Sequence, residues 1–210
     1  MALGTYAELQ ASVSQWLNRN DTNIPVTDFI DMGEADLNSR VRVRQNMTTA
    51  TLSLVAGASS VALPLDFLEE IELNYVSGDS LDRASFNDLD FAAATGTTGK
   101  PNQYAIAGTT IQFNCAANAT YSLLLRYYEA WDISGDLTNW LLTTHPDAYL
   151  YGALYEANSW LGDTGQAEAC RARRDAAVMR AMMADSRTRG GVLRVDDALI
   201  GGGIYNIDTD

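Results

Sequence analysis

The apolar residues of this chain recur with two periods, and the period changes twice along its length. Over the first 46 residues it is helical. Thr5-Tyr6-Ala7-Glu8 reads as a capping box, in which the threonine hydroxyl takes the N3 amide and the glutamate reaches back to the cap. Tyr6, Leu9, Val13, Trp16 and Leu17 then form one stripe. Asn18 to Asn23, polar and turn-prone, ends that helix. Thr27 beside Asp28 is the expected second cap, with Phe29, Ile30, Gly33, Leu37 and Val41 continuing the pattern. A glycine in a helix interior costs about 1 kcal/mol against alanine, so Gly33 predicts a close helix crossing. Arg40, Arg42 and Arg44 fall where positive charge suits the end of the helix dipole.

From Met47 to Trp131 the period is two. Leu52 and Leu54, then Val61 and Leu63, flank Gly57-Ala58-Ser59 and predict a hairpin, stopped at Pro64 because proline cannot donate a ladder hydrogen bond. Ile71, Leu73 and Tyr75 alternate with Glu70, Glu72 and Asn74, as in a half-exposed acidic strand. Residues 85–94 read as a short helix with Phe86, Leu89 and Phe91 inward, and residues 96–101 as a loop. Tyr104 and Ile106, then Ile111 and Phe113, flank Gly108-Thr109 as a second hairpin. Tyr121, Leu123, Leu125 and Tyr127 alternate with a mixed rather than polar set, which predicts a central strand covered on both sides.

Helical spacing then returns. Residues 137–142 suggest a short turn, and Thr144 is the expected cap of a helix that holds Pro146 at its first position. Leu150, Ala153, Leu154, Ala157 and Leu161 line that helix, flanked by Tyr151, Tyr155 and Trp160. Asp163 with Gln166 offers another capping box, opening a last helix to Arg189 that carries Ala167, Cys170, Ala177, Val178, Ala181 and Met182. Gly190-Gly191 stops it. Beyond lie short apolar runs interrupted by Gly201-Gly202-Gly203: Val192, Leu193 and Val195, then Leu199 and Ile200, then Ile204, Tyr205 and Ile207. That tail is too apolar for a solvated linker and too short for a core of its own. Its side chains are expected to be buried on the chain's own β lobe, on a neighbouring copy or on another protein, with intermolecular burial favoured because short alternating segments suit strand addition. The expected fold is α+β: a helical bundle from residues 1–46 and 132–189, an inserted, mainly antiparallel β lobe at 47–131, and an extended C-terminal arm at 190–210.

Charge narrows the function. The chain carries 27 acidic residues against 14 basic ones, for a net −13, and Lys100 is its one lysine. Gripping a phosphate backbone requires neutralising it with basic side chains, so the balance argues against broad nucleic-acid binding. It suits a wall past which nucleic acid slides. The helix from Asp163 to Arg189 is the positive exception; its Arg171, Arg173 and Arg174 either pair with neighbouring acids or dock on an acidic partner. No apolar stretch approaches the roughly 20 residues needed to span a bilayer. The opening Met-Ala-Leu-Gly-Thr-Tyr lacks the basic flank and apolar run of a signal peptide. Cys115 and Cys170, far apart and without a CxxC partner, are expected as free thiols in a reducing compartment.

Candidate chemistry is sparse. None of the motifs GxSxG, GxxxxGK[ST], HExxH or paired CxxC occurs, and no cofactor, metal or catalytic residue is assigned. The one histidine, His145, precedes Pro146 and reads as a helix-start residue. The Gly201–Gly203 run lacks the following helix and lysine of a phosphate cradle and reads as a joint. Carboxylates are plentiful, though no spacing singles out a pair.

Several stretches, taken in order, resemble the head-to-tail adaptor (connector) proteins of tailed bacteriophages, especially short-tailed ones. They are Thr5 to Gln10 with Trp16 to Arg19; Phe29-Ile30 with Glu34-Ala35 and Arg40 to Arg44; Leu63 to Glu69; Gly99-Lys100-Pro101 with Tyr104 to Gly108; Tyr121 to Tyr128; and Asn139 to Leu142 with Pro146 to Leu154. The likeness covers roughly residues 5–185. It implies a structural virion protein forming a ring of about twelve copies beneath the portal. The tail or nozzle protein attaches below and DNA passes through without specific binding. Assembly is then expected in the host cytoplasm, with no membrane involved. On this reading the arm residues Val192, Leu193, Val195, Leu199, Ile200, Ile204 and Tyr205 engage the partner. The rivals are another neck or tail-completion component and a virion glycan hydrolase, which would need two carboxylates within roughly 5–10 Å in a cleft.

Overall fold

The computed structural model describes residues 3–18, 24–89 and 96–189. Two helices open it, α1 (Tyr6–Leu17) and α2 (Val26–Arg40). The expected capping box closes α1: Thr5 Oγ1 accepts from the Glu8 amide, and Glu8 Oε2 accepts from the Thr5 and Gly4 amides. For α2 the expectation fails. The helix starts one residue before Thr27, at Val26, with Pro25 as its N-cap and no side-chain cap. Pro25 holds φ at −80° and needs no hydrogen-bond partner for its nitrogen, so Thr27 is drawn into the first turn.

A 3-10 turn (Arg44–Asn46) leads into nine strands: β1 (Met47–Leu54), β2 (Ser60–Ala62), β3 (Phe67–Tyr75), β4 (Asp82–Arg83), β5 (Thr98–Gly99), β6 (Gln103–Ala107), β7 (Thr110–Phe113), β8 (Ala116–Ala117) and β9 (Tyr121–Glu129). One sheet has the order β1-β9-β3, a second β2-β7-β6-β4, and β5 pairs with β8. The larger ladders are antiparallel; the two-residue pairs β4–β6 and β5–β8 are parallel. The Gly108-Thr109 hairpin joins β6 to β7 as expected, with Ile106 opposite Ile111. The expected hairpin at Gly57 does not form. Its two strands belong to different sheets, because the Gly57 amide donates to Ala117 O and the Ala117 amide to Ala58 O, turning the chain away from β1.

β9 is central, as the sequence suggested, but fully covered on one face only: Leu123, Leu125 and Tyr127 are buried, while on the other face Ser122 and Arg126 are exposed and Leu124 and Tyr128 half-buried. β3 departs from strict alternation. Two bulges shift its register against β9, at residues 68 and 71, so Ile71 is unpaired and exposed. Glu70 thereby lies opposite the buried Tyr127, on the inward face with Leu73 and Tyr75. Its side chain is 6% exposed, with Arg83 Nη1 at 3.5 Å, and burial raises its carboxyl above the ordinary range. In the short helical turn at 86–89, Leu89 is buried but Phe86 is exposed; Phe91 lies outside the described residues.

Four helices follow: α3 (Ile133–Asp136), α4 (Trp140–Thr144), α5 (Pro146–Leu161) and α6 (Thr164–Arg189). The expected turn at 137–142 is split. Leu137 adopts φ 65° at the end of α3 and is exposed, and Asn139 caps α4 by accepting from the Leu142 amide. Thr144 ends α4 rather than capping α5. His145 is the α5 N-cap, without a side-chain cap bond, and Pro146 takes N1. Asp163 Oδ1 accepts from the Gln166 amide at the start of α6, as expected.

Two buried clusters result. One joins Leu9, Val13, Phe29, Ile30 and Leu37 to Leu141, Tyr149, Leu154, Ala177 and Ala181, so the bundle is built from both ends of the chain. The other, including Leu54, Leu73, Ile111, Phe113, Leu123 and Leu125, fills the β lobe. The architecture is α+β. Gly33 meets the expected close crossing: a Cβ there would lie 3.1 Å from both Gly152 C and Ala153 N of α5. Both cysteines are free, Cys170 buried and Cys115 half-buried.

Candidate partner-binding interface

α2 organises the points where the chain leaves the bundle and returns to it. On departure, Arg42 Nη1 donates to the carbonyls of Asn38 (2.6 Å) and Val41 (2.9 Å), relieving the end of α2 of unpaired acceptors. Its Nε donates to Glu69 of β3 at 2.8 Å. On return, Asn38 brackets the Trp131 backbone, donating to its carbonyl at 2.9 Å and accepting from its amide at 3.0 Å. One turn earlier on the same face, both Glu34 oxygens accept from the Ile133 amide, and Oε1 also accepts from Tyr149 Oη at 2.7 Å.

Glu34 is 7% exposed and borders an open pocket of about 210 Å³ shared with Asp31 and Asp132. Burial pushes its carboxyl up to about 7, against the hydrogen bonds from Tyr149 and Ile133, which favour the ionised form; Asp132 and Asp31 add to the rise. Asp132 is shifted the other way, because its carboxylate accepts from Ser134 and from the Gly135 amide. Two carboxylates with opposed shifts in one pocket are what acid–base chemistry would use. Here both sets of oxygens are engaged in holding α3 and the chain crossing.

A proton held by folded Glu34 and released on unfolding stabilises the protein at low pH. That contribution is full below the unfolded value of about 4.5 and is lost as pH rises through about 7. Glu34→Gln should therefore flatten the fall in thermal stability across this window, by on the order of 2 kcal/mol between its ends. Melting curves of both proteins at pH 5 and pH 8 check it; an unchanged difference between the two pH values would show that Glu34 is not the titrating group.

The helix arginines take three different places. Arg174 is buried and closes a square of alternating charge between α2 and α6: it lies 3.2 Å from Asp36 and 2.9 Å from Asp175, and Arg40 lies 2.9 Å and 3.0 Å from the same two acids. Its guanidinium also sits 5.1 Å from the Tyr155 ring centre. Arg173 lies over Tyr151, donating to its hydroxyl at 3.2 Å, and Tyr151 meets exposed Trp16 edge to face. Arg171 is half exposed, 3.3 Å from Glu168 one turn back. Spacing alone does not separate these roles, since the burial of Arg174 comes from the neighbours packed around it, Asp36 of α2 and Gly152 and Tyr155 of α5.

One feature was not anticipated from the sequence. Met182, expected on the inward stripe of α6, is 41% exposed, and Met179 and Met183 are 58% and 52% exposed. With Val178 they line an apolar groove of about 720 Å³, bordered by Arg40 and Asp175 of the charge square. The signal was present as three methionines in five residues on a helix otherwise rich in arginine and alanine. The arm residues Val192, Leu193, Val195, Leu199, Ile200, Ile204 and Tyr205 lie outside the described residues. Among the described residues no helix is long and apolar enough to cross a membrane, and no group of three or more His, Cys, Asp or Glu is placed to hold a metal ion.

The family model described as SU10 adaptor protein matches residues 4–196. This chain belongs to the SU10 adaptor protein family. It is therefore a bacteriophage structural adaptor, as the ordered resemblances implied. The match takes in both bundle halves and the β lobe, and reaches past Gly191 to include Val192, Leu193 and Val195, which lay beyond the earlier likeness. A search of curated proteins returns no match.

Proposed function

We propose that this adaptor joins the portal to the tail as a closed ring of about twelve copies through which the genome passes. Family membership carries the reading. The acidic composition supports passage: a net charge of −13 repels the DNA backbone instead of neutralising it. The C-terminal arm binds the portal through Val192, Leu193, Val195, Leu199, Ile200, Ile204 and Tyr205. Arg171 and Arg173, on the basic α6, meet acidic surface on adjacent copies, and the β lobe, with Leu65 fully exposed in its β2–β3 loop, faces the tail or nozzle protein. The chain acts without catalysis or cofactor, and its acidic pocket serves to fix α3. It works at the virion neck after assembly in the host cytoplasm.

Mixing the purified protein with portal rings, and weighing the product by native mass spectrometry, tests the role of the arm. The full chain should add in a fixed multiple per portal ring. Deleting residues 190–210 should leave circular dichroism unchanged and abolish the addition. Retained addition by the folded, shortened chain would defeat the assignment of the arm.

A further inference from the structure

We propose that in the free subunit the methionine groove on α6 is occupied by the same chain's residues 192–195. Three thioether side chains exposed together form an apolar surface larger than single scattered residues would make, and methionine adapts to an irregular partner better than branched side chains do. The apolar run Val192 to Val195 follows six residues after Ser186, the last residue that lines the groove. α6 stops at Arg189, and Met179 to Met183 lie six to ten residues before that point, about 9–15 Å at 1.5 Å per residue. Gly190-Gly191 permits the chain to reverse. Four extended residues from Val192 to Val195 then run back about 13 Å at 3.3 Å each, which brings their side chains level with the methionines.

Charge supports the same pairing. The docking segment carries Arg194, and Asp196 and Asp197 follow it directly; running back along the positive α6, this pattern would meet the edge of the groove where both Asp175 and Arg40 stand. A segment tethered by two residues also meets its site at an effective concentration far above that of a second subunit in solution. The consequence is a placeholder. The apolar arm is shielded until a portal offers a better site, and its departure uncovers the groove for contact within the assembly. That last exchange rests on the assembly role proposed above; the docking in the free subunit does not.

Methionine methyl groups report on it directly. In the full chain labelled at methionine methyls, Leu193→Asp with Val195→Asp should shift the resonances of Met179, Met182 and Met183 and leave Met32 and Met47 in place. Both sets should stay constant on dilution. Unchanged groove resonances would overturn the proposal, and a shift that appears only at high concentration would replace the tethered arm with the arm of a second copy. Adding portal rings to the wild type should move the groove signals away from their docked positions. Docking without that displacement would leave the docking in the free subunit standing and overturn both the placeholder exchange and the portal role.

Discussion

Replacing Arg174 with alanine should lower the unfolding free energy by about 3 kcal/mol, the lower end for breaking a buried ion pair. The side chain is 3% exposed and holds Asp36 of α2 and its own neighbour Asp175 in the charge square with Arg40. Removing it takes away a cation and the stem packed toward Gly152 and Tyr155. The cost stays at the lower end because Asp36 and Asp175 are partly reached by water, so neither is stranded as a bare buried charge. Arg174→Met keeps most of the packing and should lose about half as much. Urea unfolding of the two variants beside Arg171→Ala provides the scale. An Arg174→Ala loss no greater than that of Arg171→Ala, expected within about 0.5 kcal/mol of wild type, would show that the square carries no stability.

Gly33→Val should be comparably harmful, by about 3 kcal/mol. The crossing of α2 and α5 brings backbone against backbone, and the first added carbon already comes within 3.1 Å of Gly152 C and Ala153 N. Valine's two γ-carbons have no flexible side chain to push aside. Gly33→Ala is the internal control. Its clash is smaller, and alanine regains about 1 kcal/mol of helix propensity, so its net loss should be much smaller. Thermal unfolding of both variants gives the comparison, and a valine variant as stable as the alanine one would mean the helices can separate freely at this point. The effect should also reach the lobe junction, because α2 carries Asn38 and Glu34, which hold residues 131–133.

The sequence by itself determined the elements whose signals are local. The Thr5–Glu8 capping box, the helices with their apolar stripes apart from exposed Trp16 and Met182, the Gly108-Thr109 hairpin and Pro146 at N1 depend on neighbours a few residues apart, and they stand in the structure. The close approach at Gly33 was legible because a glycine in a helix interior has few other uses. The ordered resemblances were enough for the adaptor family, since they run through the whole bundle and lobe.

Tertiary structure decided whatever depends on which distant segment lies alongside. Gly57 starts a turn, yet pairing with Ala58 and Gly57 by Ala117, sixty residues on, sends β1 and β2 to separate sheets. Two bulges set against β9 reverse the faces of Ile71 and Glu70, which alternation alone assigns the other way. Three arginines within four residues of α6 look alike in sequence; only the packing of α2, α5 and α6 buries Arg174 and leaves Arg171 half exposed. The methionine groove arises likewise, because a helical period tells which residues share a face but not how far a neighbouring helix extends to cover it.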